Sequence, residues 1–179
     1  SFIASDKTGT LTQNQMTVTD FWVNGNYYHV EGSGLEASGE IFPDGDYHDF
    51  IQAAVLNNEA EVRVDADDEL QAYGNPTDVA LVVLGQKAKI LRGDQPVDIL
   101  RVLPFDSTRK MMSVVIKADE HYYVLTKGAP DVIQQHLAQA SEDLPEVVLH
   151  FATQALRTIA VTSRSIDEKL ARHGSVVEF

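Results

Sequence analysis

Residues 98–126 restrict the fold most, because three apolar segments follow one another there with only short polar turns between them. Strands are predicted over residues 98–105, 111–117 and 122–126. The turn between the last two falls within "KADEH", which predicts a hairpin. A second hairpin is predicted over residues 16–30, where Asn24 and Gly25 form the residue pair typical of a tight β-turn. Consecutive hairpins indicate an antiparallel sheet.

Segments with helical spacing are inserted between and after these hairpins. Helices are predicted over residues 47–58, 76–91, 131–139 and 146–154, with a short one capped by Ser165 and ending before Gly174. A further strand is predicted over residues 156–164, a loop over 31–46, and a loop or weak strand over 59–69. We therefore expect an α+β fold: a twisted, mainly antiparallel sheet of six or seven strands flanked by helices.

Composition narrows the functional classes. The 179 residues carry a formal net charge of −13, which argues against a nucleic-acid-binding protein. The chain has no cysteine, so a disulfide scaffold and thiolate zinc sites are excluded. No apolar run approaches the length of about 18 residues that a membrane span needs. A phosphate-binding site in such a chain would have to use a few specifically placed lysines and arginines.

The turn "DKTGT", which follows the apolar residues 2–4, carries an unusual set of groups. The carboxylate of Asp6 is of the type that attacks phosphorus to form an aspartyl phosphate. Gly9 permits a sharp turn, while Lys7 and Thr8 offer a positive charge and hydrogen-bond donors for phosphate oxygens. A Mg²⁺ ion held by oxygen atoms would neutralise the developing charge. The alternative is a capped surface turn, since Asp, Thr and Gly are common turn residues.

The heptad "DKTGTLT" of residues 6–12 resembles the phosphorylation motif of the P-type ATPases, ion pumps that pass through an aspartyl phosphate. Its extended form "DKTGTLTQNQMTV" resembles the type II cation pumps, and calcium pumps above all. Four later segments resemble further family motifs in the same order and spacing: "YGNPTDVAL", "PFDSTRKMMSV", "TKGAPD" and "ALRTIAVTSR". Asp78 and Asp131 stand where the family usually has Glu.

The resemblance implies roles for the opening motif. Asp6 would be the phosphoryl acceptor of the intact pump, and Lys7 and Thr8 would belong to the same catalytic turn. Asp6 and the carbonyl of Thr8 would contribute to Mg²⁺ binding. The implied cofactors are therefore ATP and Mg²⁺.

The resemblance also implies a nucleotide site. Phe105 would stack on adenine, Lys127 would lie beside the base, and Asp78 would hydrogen-bond near it. Further contributors would be Lys110, which faces the nucleotide, Arg157, which reaches the phosphates, Thr77, which shapes the adenine pocket, and Gly128, where the backbone comes close to the ligand. The alternatives are purely structural roles: a core position for Phe105, a helix first-turn acid for Asp78 and a surface ion pair for Arg109.

The resemblance implies that residues 1–14 are a fragment of the phosphorylation domain and hinge, and that residues 15–179 are the nucleotide-binding domain. The implied partners are ATP or ADP and the phosphorylation and actuator domains of the same pump. The location is a cytoplasmic domain of an integral membrane protein. By itself we expect the chain to be soluble and monomeric, to bind nucleotide weakly and to have no ATPase activity.

The alternative function is a self-sufficient aspartate-dependent phosphatase or phosphotransferase that shares the D-x-x-G-T turn. Such an enzyme usually needs a second acid two residues after the first. Thr8 occupies that position, which disfavours a hydrolase. The transported ion is left open, with a calcium pump as the first choice and a sodium/potassium or other type II pump as the second.

Overall fold

The computed structural model describes residues 2–5, 15–137 and 141–175. Within these ranges the strands are β1 (Phe2–Ser5), β2 (Val18–Val23), β3 (Asn26–Val30), β4 (Ile41–Phe42), β5 (Glu61–Val64), β6 (Leu70–Tyr73), β7 (Val97–Asp106), β8 (Met111–Ala118), β9 (His121–Gly128) and β10 (Arg157–Ile166). The helices are α1 (His48–Leu56), α2 (Pro76–Lys87), α3 (Pro130–His136), α4 (Leu144–Thr153) and α5 (Glu168–His173).

The main sheet has eight strands in the order β4-β3-β2-β1-β10-β9-β8-β7. Every neighbouring pair is antiparallel, which confirms the predicted α+β class. The sheet is larger than the predicted six or seven strands. One of the additional strands is β4, a two-residue edge strand that pairs Ile41 with Val30 inside the segment predicted as a loop. Strands β5 and β6 form a separate two-stranded sheet.

The two predicted hairpins are confirmed. Asn24 and Gly25 both have positive φ angles, of 51° and 83°, as a two-residue turn that matches the sheet twist requires. The β8–β9 hairpin turns at Asp119 and Glu120, and Ala118 pairs with His121 across it. Asp119 adopts φ 52°, which an aspartate tolerates better than most residues.

The helices lie close to their predicted positions, and the differences have local causes. α2 begins at Pro76 as predicted but ends at Lys87, because Lys89 has φ 59° and leaves the helical conformation. α5 is capped by Asp167 rather than Ser165, since the Asp167 carboxylate accepts the backbone N–H of Leu170 at 2.7 Å. Gly174 follows the end of this helix as predicted. The last predicted residues of the third helix, 138 and 139, lie outside the described residues.

Helices cover both faces of the main sheet. One face packs against α1 and α2, in a core that includes Phe21, Ile51 and Leu81. The opposite face packs against α3, α4 and α5 in two smaller clusters. Because side chains alternate along a strand, Met112 of β8 points to the first face and Met111 to the second. Within the described ranges, no helix combines the length and hydrophobicity needed to cross a membrane.

Candidate functional site

A cavity of about 540 Å³ opens beside the first turn of α2, next to strands β8, β9 and β10. The connection that follows α1, the turn that precedes α2 and the ends of several sheet strands form its walls. The lining residues are Glu59, Gly74, Asn75, Thr77, Asp78, Phe105, Lys110, Met112, Lys127, Gly128, Ala129, Arg157, Thr158 and Ile159.

All seven residues predicted for the nucleotide site line this one cavity. They come from four separate motifs, and the fold brings these motifs together. The predicted catalytic and metal-binding residues Asp6, Lys7 and Thr8 lie outside the described residues, so their prediction stays as stated. Across the part of the chain that the structure describes, no group of three or more His, Asp or Glu side chains is arranged to hold a metal ion.

Lys127 and Asp78 form a buried ion pair at the cavity wall. The Nζ atom of Lys127 donates to Asp78 Oδ1 at 2.6 Å, and the two side chains are only 8% and 17% exposed. Burial lowers the pKa of Lys127, and the nearby Asp78 carboxylate opposes that shift. This contact joins the first turn of α2 to strand β9. Asp78 therefore forms an ion pair with the sheet in addition to being the first-turn acid of the helix, which was the structural alternative.

The start of α2 is fixed by its own sequence. Asn75 caps the helix by accepting the backbone N–H of Thr77 at 2.9 Å, and Pro76 occupies the first helical position. This local geometry places Asp78 in the first turn, facing the sheet. The helix N-terminus also favours a negative charge at this point.

Two asparagines clamp the chain after α1 against the site. Asn57 Nδ2 donates to the carbonyls of Met112 and Leu125, each at 3.2 Å. Asn58 Nδ2 donates to the carbonyl of Asp78 at 2.8 Å. Both asparagines are almost fully buried. Together they fix the end of α1 to the sheet and to α2.

Phe105 and Lys110 stand on either side of the β7–β8 turn. The Phe105 side chain is 62% exposed, which excludes the core position that was its alternative. Asp106 Oδ1 accepts the backbone N–H groups of Thr108 and Arg109 at 2.7 and 2.9 Å. These hydrogen bonds, with that from Arg109 foremost, hold the pKa of Asp106 below its ordinary value. The turn closes with Lys110 at φ 54°.

Gly128 is required by the protein's own packing. A Cβ atom at this position would lie 2.5 Å from the carbonyl oxygen of Lys110 and 2.9 Å from Met111 Cγ. The sequence predicts that Gly128 lets the backbone come close to a ligand. The structure shows that the residue first allows strand β9 to approach the β7–β8 turn, and thereby sets the position of Lys110.

Two arginines of the resembling motifs, Arg109 and Arg157, lie in different places. Arg157 begins β10 and lines the cavity. Arg109 instead donates to Ser113 Oγ at 3.2 Å, and Ser113 pairs with Thr126 across the strands. Ser113 is one residue from Met112, so it points to the opposite face of the sheet. Arg109 thus has a hydrogen-bonded role on that face, and not the surface ion pair considered from the sequence.

Sequence reasoning missed several cavity residues, of which Glu59 carries the clearest chemistry. Its exposed carboxylate lines the cavity beside the buried pair of Lys127 and Asp78. No spacing rule could have found it, because the link between residues 57–60 and the sheet spans 55 or more positions in sequence. Gly74 was also missed; its φ of 116° and its close approach to Ala60 need a glycine.

Comparison with known proteins identifies the family. Residues 46–178 match the family model described as the P-type ATPase cytoplasmic domain N. This match covers well over half of the chain. The chain belongs to the P-type ATPases. The predicted family membership is therefore confirmed.

Among curated P-type ATPase relatives, the calcium-transporting ATPase of Bacillus subtilis is 36% identical over an alignment 193 positions long, which covers 93% of this chain and 21% of the relative. Calcium-transporting ATPase 1 of Bacillus cereus is 39% identical, covering 73% of this chain and 14% of the relative. A calcium-transporting ATPase of Listeria monocytogenes is 34% identical, covering 89% and 19%. The chain spans about a fifth of these relatives or less.

Proposed function

We propose that this chain is the ATP-binding domain of a cation-transporting P-type ATPase. The observation that carries the proposal is the single cavity into which Thr77, Asp78, Phe105, Lys110, Lys127, Gly128 and Arg157 all converge. Its residue types suit a nucleotide. An exposed aromatic ring offers a stacking surface for a base, and lysine and arginine are the side chains that bind phosphate.

The charges in the cavity set the orientation of the nucleotide. Asp78 and Glu59 are the carboxylates among the described lining residues. The triphosphate is repelled by them and lies toward Lys110 and Arg157. The base consequently lies at the end near Lys127, with Phe105 as its stacking partner.

Binding to the isolated chain is weak. One stacked base contributes about 1–3 kcal/mol, and a few exposed charge contacts add little. Association itself costs several kcal/mol. A net binding free energy near −4 kcal/mol corresponds to a Kd of about 1 mM. Amide chemical-shift changes on ATP titration should cluster around Phe105, Lys110, Lys127 and Arg157.

Phe105→Ala tests the proposal directly. Because the substitution removes a contact to the base, it should weaken ATP and ADP binding by nearly the same factor, about 5- to 150-fold. Phe42→Ala is the matched control, since Phe42 is also an exposed phenylalanine, at 44%, and does not line the cavity. The control should leave both affinities unchanged. A loss confined to ATP, or equal losses in both variants, contradicts the assignment of Phe105.

In the whole protein, we assign the γ-phosphate transfer to Asp6, with Lys7 and Thr8 in the same turn. Calcium is the first choice of ion, because the relatives named above are calcium-transporting ATPases. Asp6 and the Thr8 carbonyl would hold Mg²⁺, which would neutralise phosphate charge. The partners would be the phosphorylation and actuator domains of the same pump, on the cytoplasmic side of the membrane.

The nucleotide-binding unit would comprise residues 15–179, with residues 1–14 belonging to the phosphorylation domain. A chain that begins at residue 15 tests this boundary. It lacks β1, which lies between β2 and β10 in the sheet. It should nevertheless fold, because the β2–β3 hairpin also packs on α1 through Phe21 and Tyr28. Cooperative thermal unfolding with unchanged ATP affinity is the expected result; an unfolded chain would refute the boundary.

A further inference from the structure

Two carboxylates line the cavity among the described residues, and they differ in availability. Asp78 is engaged, because its Oδ1 atom accepts Lys127 Nζ at 2.6 Å within a largely buried pair. Its side chain is also one methylene shorter than the glutamate that the related motif usually carries. Glu59 is exposed and makes no hydrogen bond or ion pair within the ranges that the structure describes. Glu59 is therefore the carboxylate that is free to meet a ligand.

The backbone that carries Glu59 is held rigidly. Asn58, directly before it, accepts the N–H of Ala60 at 2.7 Å and donates to the Asp78 carbonyl at 2.8 Å. The Asn58 carbonyl accepts Arg92 Nη1 at 2.5 Å. A fixed backbone with a free carboxylate is pre-organised for recognition, since little order has to be gained on binding.

The charge distribution places Glu59 at the base end of the cavity. Its carboxylate is close enough to influence the ammonium group of Lys127 electrostatically. It would repel a triphosphate, which has to lie toward Lys110 and Arg157. A hydrogen-bond donor on the base is the ligand group that suits Glu59. Adenine carries the N6 amino donor, whereas guanine bound in the same orientation presents its O6 acceptor at that ring position.

We infer that Glu59 is a specificity-determining residue that accepts a hydrogen bond from the exocyclic amino group of adenine and disfavours guanine. This inference rests on the proposed ATP-binding function. It assigns base selection to the connection after α1, and it leaves Asp78 to hold Lys127 in place.

Glu59→Gln tests the inference with ATP and GTP as the two probes. Glutamine keeps the shape and one acceptor, but its amide group can also donate to guanine O6. The wild-type chain should prefer ATP, and the variant should reduce the ATP-to-GTP affinity ratio about fivefold or more. Glu59→Ala removes both the acceptor for the adenine amino group and the repulsion of guanine O6, so it should weaken ATP binding and improve GTP binding. Glu142→Gln is the control for net charge, since Glu142 is exposed and lies outside the cavity.

Titrations followed by amide chemical shifts separate the possible failures. If Glu59→Gln leaves the ATP-to-GTP affinity ratio unchanged, the inference is overturned. In that case a loss of ATP binding in Phe105→Ala would still support the proposed function. If Phe105→Ala binds ATP as tightly as the wild-type chain does, the proposed site itself is wrong and the inference fails with it. Circular dichroism of each variant checks that the fold is retained.

Discussion

Lys127 shows how a single buried charge depends on its partner. Asp78 is the side chain with which Lys127 forms its described ion pair, and both are largely removed from water. Asp78→Asn should destabilise the fold by about 3 kcal/mol, because removal of one member leaves the other charge buried and uncompensated. Denaturant unfolding measures this loss. Adding Lys127→Met to Asp78→Asn should recover part of the lost stability. If the double variant loses as much stability as the two single variants together, the pairing is contradicted.

The pH dependence of that loss follows from the direction of the Lys127 shift. Burial lowers the Lys127 pKa below 10.5, so the native state releases its proton at a lower pH than the unfolded chain. Between the two pKa values the unfolded state binds more protons, and stability rises with pH. Without Asp78 the native pKa falls further. The deficit of Asp78→Asn should therefore be smaller at about pH 9.5 than near neutral pH.

The β7–β8 turn is the element that places Phe105 and Lys110, and the Asp106 carboxylate organises it. Asp106 accepts two backbone N–H groups, which lower its pKa below 3.8. A lowered carboxyl pKa means that this stabilisation is present above pH 3.8 and is lost as the pH falls through the native value. Asp106→Asn keeps an acceptor oxygen but cannot titrate.

The expected outcome is a stability difference between wild type and Asp106→Asn that closes in acid. It should be constant above pH 3.8 and vanish below the native pKa of Asp106. Denaturant unfolding across this range measures the difference, and carbon NMR of the Asp106 carboxyl group locates its midpoint. A midpoint above 3.8, or a difference that grows in acid, would contradict the role of the turn.

At the scale of elements, local signals predicted what local physics decides. The Asn24-Gly25 turn specified its hairpin because both residues accept positive φ angles. Pro76 and Thr77 marked the start of α2. Strands β4 and β6 were not predicted, because β4 is two residues long and β6 is exposed along its whole length. These two strands form because neighbouring strands pair with them, and no hydrophobic pattern in the sequence predicts them.

At the scale of the molecule, the candidate site was predictable where a motif named the residue. Phe105 and Lys127 came from motifs that resemble the family, and their cavity confirms only that they lie together. The position of Glu59 in the cavity was not predictable, since it depends on how Asn57 and Asn58 hold the end of α1 against α2 and the sheet. Such a contact joins distant segments and leaves no periodic trace in the sequence.

Catalysis by the chain on its own depends on where Asp6 lies relative to bound ATP. Attack of Asp6 on the γ-phosphate requires the reacting atoms to be held about 3–3.5 Å apart and in line. Phosphoryl transfer depends almost entirely on such positioning and on electrostatic stabilisation. The relatives are far longer than the region covered here, which is 21% of the Bacillus subtilis protein. The proposed site would bind ATP in this chain. The remaining four-fifths of such a relative, which would align ATP with Asp6, takes no part in an experiment on this chain.

We therefore expect no aspartyl phosphate and no ATP turnover, even at saturating ATP and Mg²⁺. The measurement is incorporation of acid-stable radiolabel from γ-labelled ATP, with Asp6→Asn as the matched control. Both chains should show the same background and the same ATP affinity, because Asp6 contributes nothing to a base-anchored complex. Stoichiometric label in the wild type that disappears in Asp6→Asn would show that the turn is competent by itself. The proposal that this chain binds ATP, and that phosphoryl transfer needs the other domains of the pump, would then be wrong.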